Sequence, residues 1–205
     1  MKLKFLQHFT LAAPLILALT GCQSAMSTSS TSSAPGSSGG RHSNANVEWP
    51  LKFQAHYFGG HCFDTQECEI LYRGFPHGEK DAPSPSIASY GRPLEKLLSA
   101  GRGPIPNFPE PAKVTWRSMD GKLHEAEIDI GKIFKDQLIR HNVKREEISD
   151  EGIGPGALPA IILEVNDRTI NVYMRAHIST KALQKPGNPY SDFREDLVKV
   201  FSQTY

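Results

Sequence analysis

The chain has 205 residues, and its 23 Lys and Arg residues nearly balance its 22 Asp and Glu residues, which gives a formal net charge of +1. A nucleic-acid-binding domain usually carries a strongly basic face, and binding to anionic lipid usually needs a cluster of basic residues. The near-neutral charge therefore argues against both kinds of partner. The sequence also has no H-E-x-x-H pair and no phosphate loop ending in Gly-Lys-Ser, which are two common catalytic motifs.

The first 22 residues have the layout of an export signal. An apolar run over residues 9–19 follows two lysines and leads into Leu19-Thr20-Gly21-Cys22. The run is interrupted by Pro14 and is shorter than the ~20 apolar residues that a membrane-spanning helix needs. Its ending resembles the lipobox of bacterial lipoproteins, in which the cysteine is acylated and becomes the first residue of the mature protein. We therefore expect residues 1–21 to be a removed signal peptide and Cys22 to carry lipid.

The lipoprotein resemblance implies more than one acyl chain on this cysteine, and stable anchoring in a bilayer requires more than one. Gln23 follows the cysteine where an Asp would favour the inner membrane, so we expect the outer membrane, facing the periplasm. Residues 22–46 are mostly small and polar after the lipidated cysteine. They hold too little apolar surface to offset the entropy cost of ordering, which predicts a flexible tether. Residues 47–205 are then expected to form a single folded domain.

Lipidation of Cys22 would leave Cys62 and Cys68 as a pair. In an oxidising periplasm an even pair of cysteines most often forms a disulfide, and we predict one here. The alternative is a metal site that includes His56 and His61, but the spacing of these residues matches no zinc ligand set. We therefore expect no metal and no cofactor.

The first part of the domain combines a predicted hairpin with a long irregular segment. Residues 51–58 alternate between apolar and polar side chains, which predicts a half-buried strand, with residues 68–72 as its hairpin partner. Residues 74–111 are rich in proline and glycine, with one helical stretch expected at 93–100. A connection of this length inside a compact domain is uncommon and often functional.

Two units of hairpin and helix are predicted next. Residues 113–117 and 123–130 flank an Asp-Gly turn, and an apolar stripe predicts a helix over 131–141. Residues 161–165 and 169–178 flank an Asn-Asp turn.

A second helix is predicted to begin after Ser191, because serine is a common N-cap residue. Because the strands come as hairpins and each of the last two hairpins precedes a helix, we expect an α+β fold. It would have an antiparallel sheet with two main helices packed on one face.

The side chains with catalytic potential are scattered along the chain. No element carries paired histidines, so each is expected to be a surface or turn residue: His56, His61, His77, His124, His141 and His177. Trp116 is expected in the core. Three acids alternate along a predicted strand, and a solvated sheet face is the simpler interpretation of them: Glu125, Glu127 and Asp129.

Aromatic and arginine side chains in the proline-rich segment are the candidates for partner binding. Such residues on a stiff loop are typical of interaction hot spots. The alternative is that the aromatic side chains fold back onto the core. The candidate residues are Phe75, Tyr90, Arg92, Arg102 and Phe108.

Two stretches of the sequence resemble a known group of proteins. Val114-Thr115-Trp116-Arg117-Ser118-Met119-Asp120-Gly121 and the hairpin Val165-Asn166-Asp167-Arg168-Thr169-Ile170-Asn171-Val172-Tyr173 are similar to lipoprotein families found beside lipase-type toxins of the type VI secretion system. The resemblance implies a non-enzymatic immunity protein, which binds and neutralises a phospholipase-type toxin in the periplasm. Two alternatives remain open. One is a structural or assembly lipoprotein of the envelope, and the other is a small envelope hydrolase, which would need a His/Ser/Asp or His/Glu group in one pocket.

Overall fold

The computed structural model of the chain describes residues 49–150 and 158–205. The expected signal peptide, the lipidation site Cys22 and the tether lie outside these ranges. Within them, no helix is long and apolar enough to cross a bilayer. The described elements are β1 (Ala55–Phe63), β2 (Thr65–Tyr72), β3 (Phe75–His77), α1 (Leu94–Leu97), β4 (Arg102–Pro106), β5 (Ala112–Ser118), β6 (Leu123–Ile128), α2 (Ile130–Ile133), β7 (Ala160–Asn166), β8 (Thr169–Arg175), β9 (Ile178–Ser179), β10 (Phe193–Arg194) and β11 (Leu197–Thr204).

The strands form a five-stranded sheet, a four-stranded sheet and a short two-stranded pair. The five-stranded sheet has the order β11-β8-β7-β1-β4, in which β1 and β7 run parallel and the other neighbours are antiparallel. The four-stranded sheet has the antiparallel order β3-β2-β5-β6, and β9 pairs with β10.

The two larger sheets share one hydrophobic core, so they pack as two layers. Alternate side chains of each strand point into it because successive residues of a strand face opposite sides. Trp116 of β5 is fully buried there, as expected, and its indole N–H donates to the backbone carbonyl of Asp167 at 2.7 Å. Other members from both sheets are Phe58, Ile70, Val114, Leu163 and Val172.

The outer side of the five-stranded sheet has a smaller apolar cluster of its own. Leu98, which follows α1, packs there on Phe63, Ile162 and Tyr173. The chain passes closely over β1 at this point, because a Cβ on Gly59 would lie 1.9 Å from the backbone oxygen of Ser99. Glycine is therefore required at position 59, and the segment around α1 covers part of this sheet face.

Both predicted hairpins of the second half are confirmed. β5 and β6 meet at a turn in which Gly121 has a φ of +83°, and β7 and β8 meet at a turn in which Asp167 has a φ of +49°. Glycine and aspartate tolerate this left-handed backbone conformation better than most residues, which is why the turns form at these positions.

The disulfide between Cys62 and Cys68 is also confirmed. The strands around it are not the predicted hairpin, however. The first strand starts at Ala55 rather than at residue 51, and it pairs with β4 and β7, while β2 pairs with β3 and β5. The disulfide therefore connects the two sheets, across a turn at Asp64.

The prediction of an α+β fold with two main helices is wrong, because the described residues are mostly β-structure. The predicted helix over 131–141 ends at Ile133. Beyond it the backbone turns at Gln137, whose carbonyl accepts from the N–H of Phe53, and the N–H of Ile139 donates to Leu51. Of the apolar stripe, Phe134 and Ile139 are buried, whereas Ile133 and Leu138 are partly exposed. The stripe continues beyond the helix into an irregular segment that pairs with residues 51–53.

The predicted C-terminal helix is also wrong, because its residues form β10 and β11. A β-bulge between Lys199 and Phe201 explains the error. A bulge adds one residue to the strand and shifts the alternation of its faces. The apolar residues Leu197, Val200 and Phe201 therefore have the three- and four-residue spacing of a helix although they lie on a strand. Ser191 caps no helix.

Candidate functional site

Two of the predicted partner-binding residues meet where the edges of the two sheets come together. Phe75 begins β3, an edge strand of the four-stranded sheet, and Arg102 begins β4, an edge strand of the other sheet. The guanidinium carbon of Arg102 lies 3.1 Å from the centroid of the Phe75 ring. Phe75 remains 42% exposed and Arg102 is exposed as well. This cation–π contact, the Phe75–Arg102 pair, places an aromatic ring and a guanidinium together at the surface, and such a contact stabilises by about 0.5–1 kcal/mol at exposed sites.

Tyr90 and Arg92 lie elsewhere on the surface. Tyr90 ends a 3₁₀ turn, Ile87–Tyr90, and packs edge-to-face on Phe63 with ring centroids 6.0 Å apart. Phe63 belongs to the outer apolar cluster of the five-stranded sheet. Tyr90 is 43% exposed, and Arg92 is exposed two residues further on. No ring contact and no cation–π contact among the described residues joins Tyr90 or Arg92 to the Phe75–Arg102 pair.

Phe108 belongs to the core rather than to a contact surface. Its ring lies 5.8 Å from the ring of Phe53 and 5.8 Å from that of His56, and it is only partly exposed. For this residue the alternative interpretation, folding back onto the core, is the one that the structure supports.

His56 is fully buried, contrary to the expectation of a surface histidine. Its Nδ1 lies 2.8 Å from Oδ1 of Asn107, and its Nε2 lies 3.1 Å from the hydroxyl of Tyr72. Burial lowers the pKa of His56 and raises that of Tyr72. A neutral imidazole that donates from Nδ1 and accepts at Nε2 satisfies both contacts, so this group stabilises the core.

His77 lies beside the disulfide. Burial lowers its pKa, and the nearby His61 and Arg102 lower it further. Its Nε2 is buried and has no hydrogen-bond partner in the described residues. Nowhere in residues 49–150 and 158–205 do three His, Cys, Asp or Glu side chains form a group that could hold a metal ion.

Ser118, His124 and Asp120 are the side chains that come nearest to a hydrolytic triad. The serine hydroxyl contacts both the Asp120 carboxylate at 2.5 Å and Nε2 of His124 at 2.9 Å. In a catalytic triad the imidazole lies between the acid and the hydroxyl, whereas here the hydroxyl lies between the other two. Ser118 is fully buried, and the His124 ring stacks on Trp116. This group closes the turn between β5 and β6.

Sequence reasoning missed the most exposed aromatic side chain of the described residues. Tyr190 is 84% exposed at the end of the loop 181–190. The loop is closed at its base, where the N–H of Gln184 donates to the carbonyl of Ser191 at 2.7 Å and the Ser191 hydroxyl lies 2.8 Å from the carbonyl of Asn188. The turn-forming residues Pro-Gly-Asn-Pro were the available signal, but Ser191 was interpreted as a helix cap.

The exposed groups of the described residues are suited to contact with another molecule: a ring held under a guanidinium, and a tyrosine on a hydrogen-bonded loop. Such preorganised aromatic and arginine side chains lose little entropy when a partner binds. No family model, no curated protein and no solved structure matches the chain.

Proposed function

We propose that this chain is a lipid-anchored immunity protein, which binds and neutralises a phospholipase-type toxin that a type VI secretion system delivers into the periplasm. The observation that carries the proposal is the exposed Phe75–Arg102 pair at the meeting edges of the two sheets. Aromatic and arginine side chains dominate the binding energy of protein interfaces. Within the described residues, the flanking edge strands β3 and β4 each have one side without a neighbouring strand, where backbone groups can pair with a partner.

The N-terminal sequence supports the proposed location. A lipid on Cys22, followed by the small and polar residues 23–46, would hold the domain close to a bilayer, which is the substrate of a phospholipase. The resemblance of residues 114–121 and 165–173 to lipoproteins found beside lipase-type toxins suggests the class of partner. Binding would neutralise such a toxin by covering its active site or by blocking its approach to the membrane.

Growth competition between sibling cells tests the proposal. A deletion strain should lose fitness against a parent that fires its type VI system, and the wild-type gene should restore it. Arg102→Ala should fail to restore protection, because loss of a hot-spot residue costs about 2 kcal/mol, which is roughly a 30-fold loss of affinity.

Lys113→Ala is the matched control for this variant, since Lys113 is an exposed cation on the outer face of the four-stranded sheet. It should protect as well as the wild type does. If the deletion strain shows an envelope defect without any competitor and no added sensitivity to siblings, the chain is a structural or assembly lipoprotein and the immunity proposal fails.

A further inference from the structure

The outer face of the five-stranded sheet carries a row of polar side chains. His61 of β1, Glu164 of β7, Asn171 of β8 and Ser202 of β11 are cross-strand neighbours in that order. Glu164 is only 1% exposed and Asn171 only 6%. A buried acid on a sheet face is unusual, because the loss of its hydration is costly unless hydrogen bonds replace it.

Three neutral groups supply those hydrogen bonds. The carboxylate of Glu164 accepts from the hydroxyl of Tyr173 at 2.6 Å, from the amide of Asn171 at 3.2 Å and from the amide of Asn166 at 3.3 Å. Burial and the contact with Glu164 raise the pKa of Tyr173, so its hydroxyl stays protonated and donates. The acid therefore fixes the orientation of both amides, as a supporting shell does in a preorganised binding site.

These two amides line a cleft of about 370 Å³ at the end of the sheet where β7 turns into β8. The size lies in the range of ordinary ligand pockets, roughly 300–1,000 Å³. Its other walls come from the turn and from β11, and the groups that matter for recognition are Arg168, Lys199, Ser202 and Thr204.

Several of these groups have hydrogen-bonding capacity left over. The Ser202 hydroxyl donates to Oδ1 of Asn171 at 2.8 Å, which leaves its own lone pairs to accept. Lys199 forms no ion pair within the described residues, and its ammonium lies 5.4 Å from the centroid of the Tyr173 ring. Arg168 reaches Asp167 only at 3.9 Å, which is too long for a hydrogen bond.

The lining excludes two classes of ligand. None of the side chains that line the cleft is apolar, so an apolar ligand would gain little from entering it. A simple anion would be attracted by Lys199 and Arg168, but it would also face the carboxylate of Asp167 at the rim and that of Glu164 beside Asn171.

A hydroxyl-rich ligand fits the cleft, because each of its hydroxyls donates and accepts. Amides and hydroxyls on the wall match both roles, and the two cations add donors. We propose that this cleft is a carbohydrate-binding site, which takes a short saccharide. The site is separate from the Phe75–Arg102 pair and does not depend on the proposed immunity function.

Titration of the purified mature chain tests this inference, in micelles of a detergent without a sugar headgroup. The probes are chitotriose and maltotriose, followed by calorimetry and by amide chemical shifts. We expect saturable binding of at least one trisaccharide, with shifts at Ser202 and Thr204. Lys199→Gln and Arg168→Ala should each weaken binding about three- to tenfold, the effect of one hydrogen bond.

The matched controls lie on the outer face of the other sheet. Lys113→Gln is the same substitution as Lys199→Gln at an exposed strand position, and Thr115→Ala removes an exposed polar side chain; both should leave the affinity unchanged. Because Lys199 and Arg168 are exposed, their replacement should not unfold the protein. The inference is overturned if neither trisaccharide binds, if the two cleft variants bind as tightly as the wild type, or if inorganic phosphate displaces the sugar, since that would identify an anion site.

Discussion

The outer faces of the two sheets have different sequence patterns and opposite environments. On the four-stranded sheet, Glu67, Thr115 and Glu125 point away from the core into solvent, and Glu67 forms an exposed ion pair with Arg117. On the five-stranded sheet, Glu164 occupies an equivalent outward position and is almost fully buried. The difference arises from the segment around α1, whose Leu98 packs on the five-stranded sheet, and from the neighbouring side chains of β8 and β11.

An outward position on a strand therefore meets either water or another part of the chain, and apolar residues at outward positions of β7, such as Ile162, indicate the second case. The burial of β7 and β8 on both faces is typical of a central strand with layers on both sides. The exposed alternation of β5 and β6 is typical of a sheet with one solvated face. Each contrast between these two faces can be tested with a matched pair of substitutions.

The largest difference in the free energy of unfolding between the two faces is expected when a leucine on each face is replaced by alanine. Leu98 is 1% exposed in the outer apolar cluster, whereas Leu123 is 51% exposed on the four-stranded sheet. Leu98→Ala should lower the free energy of unfolding by about 2–5 kcal/mol, because it removes buried methyl groups and leaves a cavity. Leu123→Ala should change it by less than about 0.5 kcal/mol. Urea denaturation measures both. Equal effects would mean that the segment around α1 does not cover the sheet.

The next largest difference in the free energy of unfolding is expected between substitutions of Glu164 and Glu125, which occupy outward positions on the two sheets. In Glu164→Gln, one oxygen is replaced by an NH₂ group, which leaves a donor from Asn166 or Asn171 facing another donor. Unfolding should become easier by about 1–3 kcal/mol, the cost of a buried unsatisfied polar group. Glu125→Gln, on an exposed position, should stay within about 0.5 kcal/mol. The buried network is contradicted if both variants unfold at the wild-type urea concentration.

The features that could be predicted from the sequence depend on neighbouring residues. The turns at Asp120-Gly121 and Asn166-Asp167 follow from residues that tolerate a positive φ, and the strands beside them follow from alternation. The disulfide follows from two cysteines left close together, and the burial of Trp116 from its size and its place in an alternating strand. Of the predicted surface residues, Phe75 and Arg102 do meet, although nothing in the sequence relates their positions.

The features that were missed depend on distant parts of the chain. The bulge in β11 gave its apolar residues a helical spacing, and only pairing with β8 shows that they form a strand. The parallel pairing of β1 with β7 places residues about a hundred positions apart side by side, and it separates β1 from β2. The proposed saccharide cleft could not be predicted from the sequence, because one of its walls comes from β11 and the sequence pattern places Lys199 of that wall near the end of a helix.

The stability of the protein should depend on pH through a histidine that is buried in the core between the two sheets. Burial lowers the pKa of His56 below its ordinary value of 6.5, although the bond to Asn107 opposes this shift. At a pH between the lowered pKa of the folded protein and 6.5, His56 therefore binds a proton in the unfolded chain but not in the folded protein. The stability contribution is complete above about pH 6.5 and is lost as the pH falls toward the lowered folded pKa.

His56→Gln should remove its share of this pH dependence, which is at most about 1.4 kcal/mol per pH unit for a single group. Urea denaturation between pH 5 and 8 measures the slope. His77 and His141 have pKa values that burial lowers as well, so part of the wild-type slope should remain in the variant. A slope identical to that of the wild type would show that His56 has the same pKa in the folded and the unfolded protein, which contradicts the prediction.

The smallest effect is expected from the ion pair on the solvated face. Nε of Arg117 lies 3.6 Å from the Glu67 carboxylate, and their side chains are 35% and 51% exposed. The guanidinium also donates to the carbonyl of Gly121 at 2.9 Å, so it is held in place without the acid. A double-mutant cycle with Glu67→Ala and Arg117→Ala should therefore give a coupling near the low end of about 0.2–1 kcal/mol. In 1 M salt, where the Debye length is about 3 Å, the coupling should fall further. A coupling that is larger than this and insensitive to salt would require low-dielectric surroundings, and the two outer faces would then be alike.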